Sequence, residues 1–275
     1  MLFTLSHLNA YLFLILIIFT FIISSSFVTI DEVYRTVHNN SFRAGEYLVY
    51  RVHYGFVNAG EGVVETSSDI VKINNRPCYR TSVTGRTTGT FDVLYKIRDT
   101  WRSYVDTSAM LSQRFYWNVN EGKYHKEETV FFDQINNKIR SEEKDQDTHE
   151  FDKTPNNLQD IVSGYFYLRT FNFNKLKEGE QIPLKGFFDD KYYDFKIKYA
   201  GKEVIKTKFG KINCIKLNPI MPKNDLFKDN ESVRLYISDD ENKIPIKVEA
   251  DMFVGAVEVE LKDVKNTRHP LHFLK

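Results

Sequence analysis

The sequence predicts a mainly β protein in which a curved antiparallel sheet, or an open barrel, wraps around a single amphipathic helix. Many segments alternate large apolar and polar side chains with a period of two, as half-buried strands do. Short turn signals separate consecutive segments, which is typical of an antiparallel meander rather than of βαβ units. One stretch of the chain follows the helical period instead.

The first predicted strand lies within GEYLVYRVHYGFVNAGEG, residues 45–62. Every second side chain is large and apolar, namely Leu48, Tyr50, Val52, Tyr54 and Phe56. The strand is predicted to run to about Phe56, and the following NAGEG stretch contains the glycines and asparagine of a turn. The aromatic column is either the inside of a β structure or the wall of a binding site.

Six further segments continue the strand pattern. They read GVVETSSDIVKI, CYRTSVTGR, TFDVLYKIRDTWRSYVD, SQRFYWNV, KYHKEETVFFD and NKIRSEE. In the third of these, Phe91, Val93, Tyr95 and Ile97 fall on alternate positions, which predicts one long strand. The strongly polar run SEEKDQDTHEFDKTPNN is predicted to be a surface loop.

A helix is predicted over about residues 156–171. Thr154 and Pro155 are residue types that begin helices. The apolar residues that follow share one helical face and are Leu158, Ile161, Val162, Tyr165 and Leu168. Strand alternation then resumes in KYYDFKIKYAG, NKIPIKVEAD and VEVELKDV. Two β regions that flank one helix predict a single sheet wrapped around it.

The N-terminal segment predicts export. Residues 1–30 contain no Asp, Glu, Lys or Arg, and the apolar run from Tyr11 to Ile23 suits a secretory signal better than a membrane span. Ser24 and Ser26 supply the small residues of a cleavage site, so cleavage is predicted after Ser26. The alternative is an uncleaved N-terminal anchor. Residues 27–275 are predicted to form a single exported domain, in the periplasm or associated with the outer membrane.

Charge and cysteine content limit the partners. The chain has 38 Lys and Arg against 37 Asp and Glu, so its net charge of +1 predicts no nucleic-acid partner. Cys78 and Cys214 lack the spacing of a zinc or redox motif. In an oxidising compartment they could form a disulfide, but buried strand cysteines are commonly free thiols.

No common catalytic, nucleotide or metal motif occurs, so no catalytic residue, metal or cofactor is predicted. His269 and His272 are separated by Pro270 and are interpreted as solvated terminal residues. Asp239 and Asp240 are interpreted as turn residues. If the protein were an enzyme, the first acids to inspect would be Glu46, Asp99, Glu121 and Asp240.

Aromatic residues are unusually frequent, at 15% of the chain with 22 Phe and 16 Tyr. Because Tyr and Trp are amphipathic, an aromatic-lined concavity could hold a lipid, glycan or peptide. The candidate ligand-binding residues are Tyr50, Tyr54, Phe56, Tyr95, Trp101 and Tyr165. The alternative is that the same side chains simply pack between the sheet and the helix.

Four ordered blocks resemble a known exported bacterial family, domain of unknown function 3108, in a Bacteroidetes-type member. They are FRAGEYLVYRVHYGFVNAGEG, FDVLYKIRDTWRSYVD, LQDIVSGYFYLR and RLYISDDENKIPIKVEADMFVGAVEVEL, which together cover roughly residues 42–262. The resemblance implies a signal-bearing envelope protein of mainly β structure. It carries over no catalytic residue.

Three functions are compatible with these features. The leading hypothesis is a non-enzymatic envelope protein whose aromatic-lined sheet binds a lipid or another apolar ligand. The second is a structural or protein-interaction module of the envelope without a small ligand. The third is an enzyme that acts on cell-wall or glycan material, for which two facing carboxylates are required. The expected partner is a lipid or an envelope protein, with membrane contact only through the N-terminal segment if it is retained.

Overall fold

Fourteen strands join edge to edge in one antiparallel sheet. The computed structural model describes residues 34–220 and 229–274. The strands are β1 Tyr47–Tyr54, β2 Val57–Ile73, β3 Arg76–Thr87, β4 Arg98–Asp106, β5 Ser112–Glu121, β6 Tyr124–Asp133, β7 Lys138–Glu143, β8 Thr148–Asp152, β9 Gln181–Phe188, β10 Lys191–Thr207, β11 Gly210–Ile220, β12 Val233–Ser238, β13 Pro245–Asp251 and β14 Ala256–Lys265. Two helices, α1 Gly89–Leu94 and α2 Ile161–Leu168, and a 3₁₀ turn at Phe173–Lys175 complete the described elements.

The order of strands across the sheet is β8-β7-β6-β5-β4-β3-β2-β1-β14-β13-β12-β11-β10-β9. Neighbours in sequence are therefore neighbours in space, except where β1 pairs with β14 in the middle of the sheet. Helix α2 lies between the two halves in sequence and packs against the sheet in space. The predicted curved antiparallel sheet around a helix is confirmed.

Side chains, rather than backbone pairing, connect the two edge strands β8 and β9, and the sheet stays open. The Phe151 ring on β8 lies 5.1 Å from the Phe187 ring on β9. Beside them, Lys126 Nζ on β6 lies 2.8 Å from Asp189 Oδ1 in the β9–β10 turn. Aromatic and charged contacts thus bring the two ends of the sheet together.

Helix α2 is shorter than predicted. Its N-cap is Asp160, whose carboxylate accepts hydrogen bonds from the backbone N–H groups of Val162 and Ser163, and the Ser163 hydroxyl accepts one from the Asp160 N–H. The preceding residues cannot be helical because Gln159 pairs with β9. Its N–H donates to the Lys185 carbonyl at 2.9 Å, and its carbonyl accepts from the Phe187 N–H at 2.9 Å.

The two ends of the curved sheet differ, and helix α2 occupies one of them. We call the end that carries Glu46 and the β12–β13 turn (239–244) the plugged end, because Arg169, just after the helix, contacts Glu46 and Asn242 there. The opposite, distal end carries the β1–β2 turn, helix α1, the β5–β6 turn and the β13–β14 turn. Strand direction in an antiparallel sheet places these connections at one end.

Three local predictions are wrong. The predicted strand from Thr90 is interrupted because helix α1 occupies its first part and β4 starts only at Arg98. The polar stretch 141–157 contains strand β8, which the sheet recruits through its backbone despite exposed side chains.

The NAGEG stretch lies inside β2 instead of in the turn, which falls at Gly55 and Phe56. Its glycines serve strand packing, since a Cβ on Gly60 would lie 2.5 Å from the Arg86 carbonyl oxygen on β3.

Neither helix in the described part of the chain combines the length and the apolar character that crossing a bilayer requires. The predicted signal segment and its cleavage after Ser26 lie outside the described residues.

Candidate functional site

An apolar cavity of about 280 Å³ lies between helix α2 and seven adjacent strands, β4 to β1 and β14 to β12. Its lining residues are Tyr50, Gly62, Val63, Val64, Val83, Trp101, Ile161, Val162, Tyr165, Leu235, Pro245, Val248 and Val259. None of these side chains carries a charge. The lining therefore suits an apolar molecule rather than an ion or a polar metabolite.

The space exists partly because a glycine stands opposite an aromatic residue. Gly62 on β2 pairs directly with Tyr50 on β1, so the two positions share one face of the sheet. A Cβ built on Gly62 would meet only ordinary contacts, 3.7 Å from the Thr84 carbonyl oxygen and 3.9 Å from the Tyr50 Cβ. The missing side chain is therefore a gap in the wall, and the local backbone has room for a larger residue.

The two tyrosine hydroxyls of the cavity are held by the protein. Tyr50 donates to the Pro245 carbonyl at 3.1 Å, and Tyr165 accepts a hydrogen bond from Arg169 Nη1 at 3.3 Å. Burial raises the pKa of both phenols above the usual value, so both stay neutral. These hydroxyls shape the wall without adding charge to it.

The two tryptophans of the chain face each other across β4 and β5 but differ in hydrogen bonding. Trp117 Nε1 donates to Glu128 Oε2 at 2.8 Å. Trp101, its cross-strand neighbour, lines the cavity, and its buried Nε1 has no hydrogen-bond partner among the described residues. A buried N–H donor without an acceptor is unfavourable, so Trp101 contributes its ring rather than a hydrogen bond to this part of the fold.

The cavity extends from Pro245, beside the β12–β13 turn, toward the distal end of the sheet. Trp101 comes three residues after the start of β4, and Val259 three residues after the start of β14. At about 3.3 Å per residue, both lie roughly 10 Å from the distal turns. Ile161, at the first turn of α2, lines the cavity and keeps 47% of its surface exposed. The cavity therefore reaches solvent beside Ile161, on the side away from the plugged end.

The six predicted ligand-binding residues separate into two groups. Tyr50, Trp101 and Tyr165 are brought together in the cavity wall. The other three lie at the distal end and are Tyr54, Phe56 and Tyr95. Tyr54 donates to the Val254 carbonyl at 2.8 Å, and Tyr95 donates to the Glu121 carbonyl at 3.2 Å.

Sequence reasoning missed most of the aliphatic wall. Val64, Val83, Val248 and Val259 come from four strands that are far apart in the chain. Their alternation marks them as inward-facing, which was a usable signal for burial but not for a cavity. The sequence pattern places Gly62 in a turn. Only its pairing with Tyr50 shows that the missing side chain leaves space in the cavity wall.

Two of the four candidate acids are occupied by structural contacts. Glu46 forms an ion pair with Arg169. Asp240 Oδ1 accepts hydrogen bonds from the Ser238 hydroxyl and the Asn242 N–H, which is a turn arrangement. Neither residue lines the cavity.

The other two acids form a pair. The Asp99 and Glu121 carboxyl groups lie beside each other at the distal ends of β4 and β5, and Asp99 Oδ1 accepts a hydrogen bond from the Asn120 N–H at 3.0 Å. Desolvation raises the pKa of Asp99, and desolvation together with the Asp99 charge raises that of Glu121. No cluster of three or more metal-ligating side chains occurs within residues 34–220 and 229–274.

A larger cavity of about 590 Å³ lies outside this region, against β6, β7 and β8. Its lining includes the charged side chains of Asp133, Lys138, Arg140, Glu150 and Asp152. The Lys138 and Asp152 side chains already form an exposed ion pair at 2.9 Å. This polar surface lacks the uncharged apolar wall of the smaller cavity.

Comparison with protein families finds one match, described as "Protein of unknown function (DUF3108)", over residues 49–262. A search of curated proteins finds no match to the chain.

The solved structures that are similar to the chain include the following three. A β-barrel-like protein of the domain of unknown function DUF1849 from Brucella abortus has a TM-score of 0.56 at 10% identity, covering 82% of this chain and 99% of its own. A candidate lipoprotein from Parabacteroides distasonis has a TM-score of 0.29 at 12% identity, with 84% and 99% coverage. A candidate exported protein with a YmcC-like fold from Bacteroides fragilis has a TM-score of 0.30 at 11% identity, with 84% and 100% coverage. At these identities a similar structure is informative about the fold alone, and only the first structure has a TM-score above 0.5. The comparison therefore supports a β-barrel-like fold.

Proposed function

Because this chain belongs to the DUF3108 family of proteins of unknown function, its role must be inferred from its own site, and we propose that it binds a lipid or a similar apolar molecule without catalysing a reaction. The observation that carries this proposal is the uncharged cavity between α2 and the sheet. Apolar surface gains free energy when a ligand displaces water from it.

The size of the cavity narrows the ligand class. Its volume of about 280 Å³ is close to the lower end of the range of about 300 to 1,000 Å³ that small-molecule sites occupy. One acyl chain, or a similarly narrow apolar group, suits this space better than a bulky multi-chain lipid. A fatty acid and an acyl ester both carry such a chain.

The cellular location that we propose is the bacterial envelope, in a Bacteroidetes-type organism. The support is the apolar run from Tyr11 to Ile23, followed by small residues that suit signal cleavage after Ser26. An exported barrel would then meet its ligand in the periplasm or at the outer membrane. Cell fractionation and N-terminal sequencing of the mature protein test both statements.

Ligand uptake tests the proposal directly. Delipidated protein should take up a fluorescent fatty acid, and Gly62→Leu should reduce this uptake because the new side chain enters the cavity. The matched control Ser68→Leu adds similar bulk at an exposed position of the same strand and should leave uptake unchanged. Equal uptake by both variants, or no uptake by folded wild-type protein, would refute binding in this cavity.

Native mass spectrometry of protein purified from its own envelope separates this function from the second hypothesis, a purely structural module. A bound molecule with the mass of a single-chain lipid supports the proposal. Protein that carries no small molecule and co-purifies with a stoichiometric envelope protein supports the structural alternative.

A glycan-acting enzyme is less well supported by the geometry. Asp99 and Glu121 lie directly beside each other. Glycoside hydrolysis commonly uses carboxyl groups that are about 5 to 9.5 Å apart, with the sugar between them. The pair also lies outside the residues that line the cavity.

A further inference from the structure

The distal end of the sheet exposes an unusual set of large apolar side chains. They stand on the β1–β2 turn, on and after helix α1, at the β5–β6 turn and at the β13–β14 turn. We call this set the apolar rim, and its members are Phe56, Val57, Val93, Leu94, Tyr95, Tyr124, Phe253 and Val254. Phe56 is 106% exposed, Val93 87% and Val254 77%. Large exposed apolar patches mark surfaces that contact a protein or a membrane.

The four connections that carry the rim are held side by side. The Tyr54 hydroxyl donates to the Val254 carbonyl at 2.8 Å, and the Tyr54 ring lies 6.1 Å from that of Phe91 in helix α1. The Tyr95 hydroxyl, just after α1, donates to the Glu121 carbonyl at 3.2 Å. These contacts join the β13–β14 turn to α1, and α1 to the β5–β6 turn.

One glycine is required for this arrangement. Gly255 has a φ of +76°, and a Cβ there would lie 2.7 Å from the Tyr54 hydroxyl oxygen. The absence of a side chain lets the Tyr54 ring lie against the β13–β14 turn. Phe253 and Val254, immediately before this glycine, are therefore presented outward on a turn that is tied in place.

Two lysines stand among the residues of the apolar rim. Lys96 and Lys123 are exposed on neighbouring segments, since the Gly122 N–H donates to the Lys96 carbonyl at 2.9 Å. Among the carboxylates at this end, Asp92 is paired with Arg98.

Two further acids at this end are also engaged. Asp99 accepts a hydrogen bond from the Asn120 N–H at 3.0 Å, and Asp251 is paired with Arg234 at 2.7 Å. Protruding apolar side chains beside lysines match an anionic bilayer, in which they can enter the boundary region while the ammonium groups contact lipid phosphates.

We propose that the apolar rim docks the barrel on an anionic lipid bilayer, with the cavity facing the membrane. The cavity extends toward the same distal end and opens beside Ile161. An acyl chain could therefore pass between bilayer and cavity with little exposure to water. Docking deepens the proposed ligand-binding function and rests on that function for the origin of the ligand. It also extends membrane contact beyond the N-terminal segment.

Vesicle flotation tests docking. Wild-type protein should float with vesicles of phosphatidylethanolamine and phosphatidylglycerol, and more weakly with phosphatidylcholine vesicles. The double variant Phe56→Asp/Val254→Asp should bind at least about tenfold more weakly, because two inserted apolar side chains are lost. The control Ile135→Asp/Val204→Asp changes two exposed apolar residues away from the rim and should bind like wild type.

The source of the ligand is tested separately from its binding. The rim variant should still take up a fluorescent fatty acid from solution, but it should extract the same probe more slowly from vesicles. Slower extraction of the probe from vesicles, together with normal uptake from solution, supports docking. Flotation by a protein that takes up no fatty acid would refute the cavity function and leave docking standing.

Two results would overturn docking. One is a folded wild-type protein that floats with neither type of vesicle, or that floats no better than the rim variant. The other is light scattering that shows a wild-type dimer which Phe56→Asp/Val254→Asp converts to a monomer, because the rim would then be covered by a second copy.

Discussion

Arg169 and Glu46 form an ion pair that is closed off from solvent, with the two side chains 1% and 2% exposed. Arg169 Nη2 lies 2.9 Å from Glu46 Oε2, and Nη1 contacts the other carboxylate oxygen. The guanidinium also donates to the carbonyls of Asn242 and Ser41, at 3.0 and 3.2 Å. One side chain thus joins the end of helix α2 to the first strand, to the N-terminal lead-in and to the β12–β13 turn.

Removing one member of this pair should destabilise the fold strongly. Glu46→Gln leaves the buried Arg169 charge without its counterion and should lower the free energy of unfolding by about 3 to 5 kcal/mol. The double variant Glu46→Leu/Arg169→Met should lose less than the sum of the two single variants. Urea unfolding followed by tryptophan fluorescence measures both effects.

The exposed Lys138–Asp152 pair provides the control for this comparison. Asp152→Asn should change the unfolding free energy much less than Glu46→Gln does. If the two variants were equally stable, the buried pair would not hold the helix to the sheet.

The two tryptophans should respond differently to substitution. Trp101→Phe removes an indole N–H that has no partner among the described residues, so it should leave stability nearly unchanged. Trp117→Phe removes the indole hydrogen bond to the buried Glu128 carboxylate and leaves Oε2 with Lys126 Nζ at 3.1 Å, so it should destabilise the protein by about 1 to 3 kcal/mol.

The Asp99–Glu121 pair should make stability fall as the pH rises. Desolvation raises the pKa of both carboxyl groups in the folded protein. Their contribution is therefore full below the unfolded-state pKa of about 4 and is lost as the pH rises through the higher folded-state pKa. Glu121→Gln removes this loss, so the variant should gain stability relative to wild type as the pH increases.

Urea midpoints measured from about pH 4 to 7 would show this difference. Glu150→Gln, which changes an exposed carboxylate on β8, provides the control, and its urea midpoint should show the same pH dependence as that of wild type. A constant gap between Glu121→Gln and wild type across this range would contradict the coupling of the two acids.

The two cysteines should be free and unreactive in the native protein. Cys78 and Cys214 are buried as separate thiols on β3 and β11, and desolvation raises the pKa of each to about 12. Iodoacetamide should modify neither thiol in native buffer and both in urea without reductant, as read by mass spectrometry. Protection that persisted in urea and disappeared with reductant would show a disulfide instead.

Local pattern was sufficient where the side chains of one strand decide its role. The alternation in β1 and β10 predicts strands because one face of each must be apolar. Local pattern failed where pairing with the backbone of another segment determines the secondary structure. Strand β8 has mostly exposed side chains and forms because β7 offers an edge, while Gln159 leaves the predicted helix because β9 pairs with it.

The sequence by itself determined that this protein is an antiparallel β structure around one helix, and it marked Tyr50, Trp101 and Tyr165 as candidates for a site. Only the tertiary structure decided that these three share a cavity, while Tyr54, Phe56 and Tyr95 belong to the distal end. The physical reason is the sequence distance over which the interactions act. Alternation reports which face of one strand is apolar, whereas the ion pair between Glu46 and Arg169, 123 residues apart, and the gap at Gly62 depend on how distant segments meet.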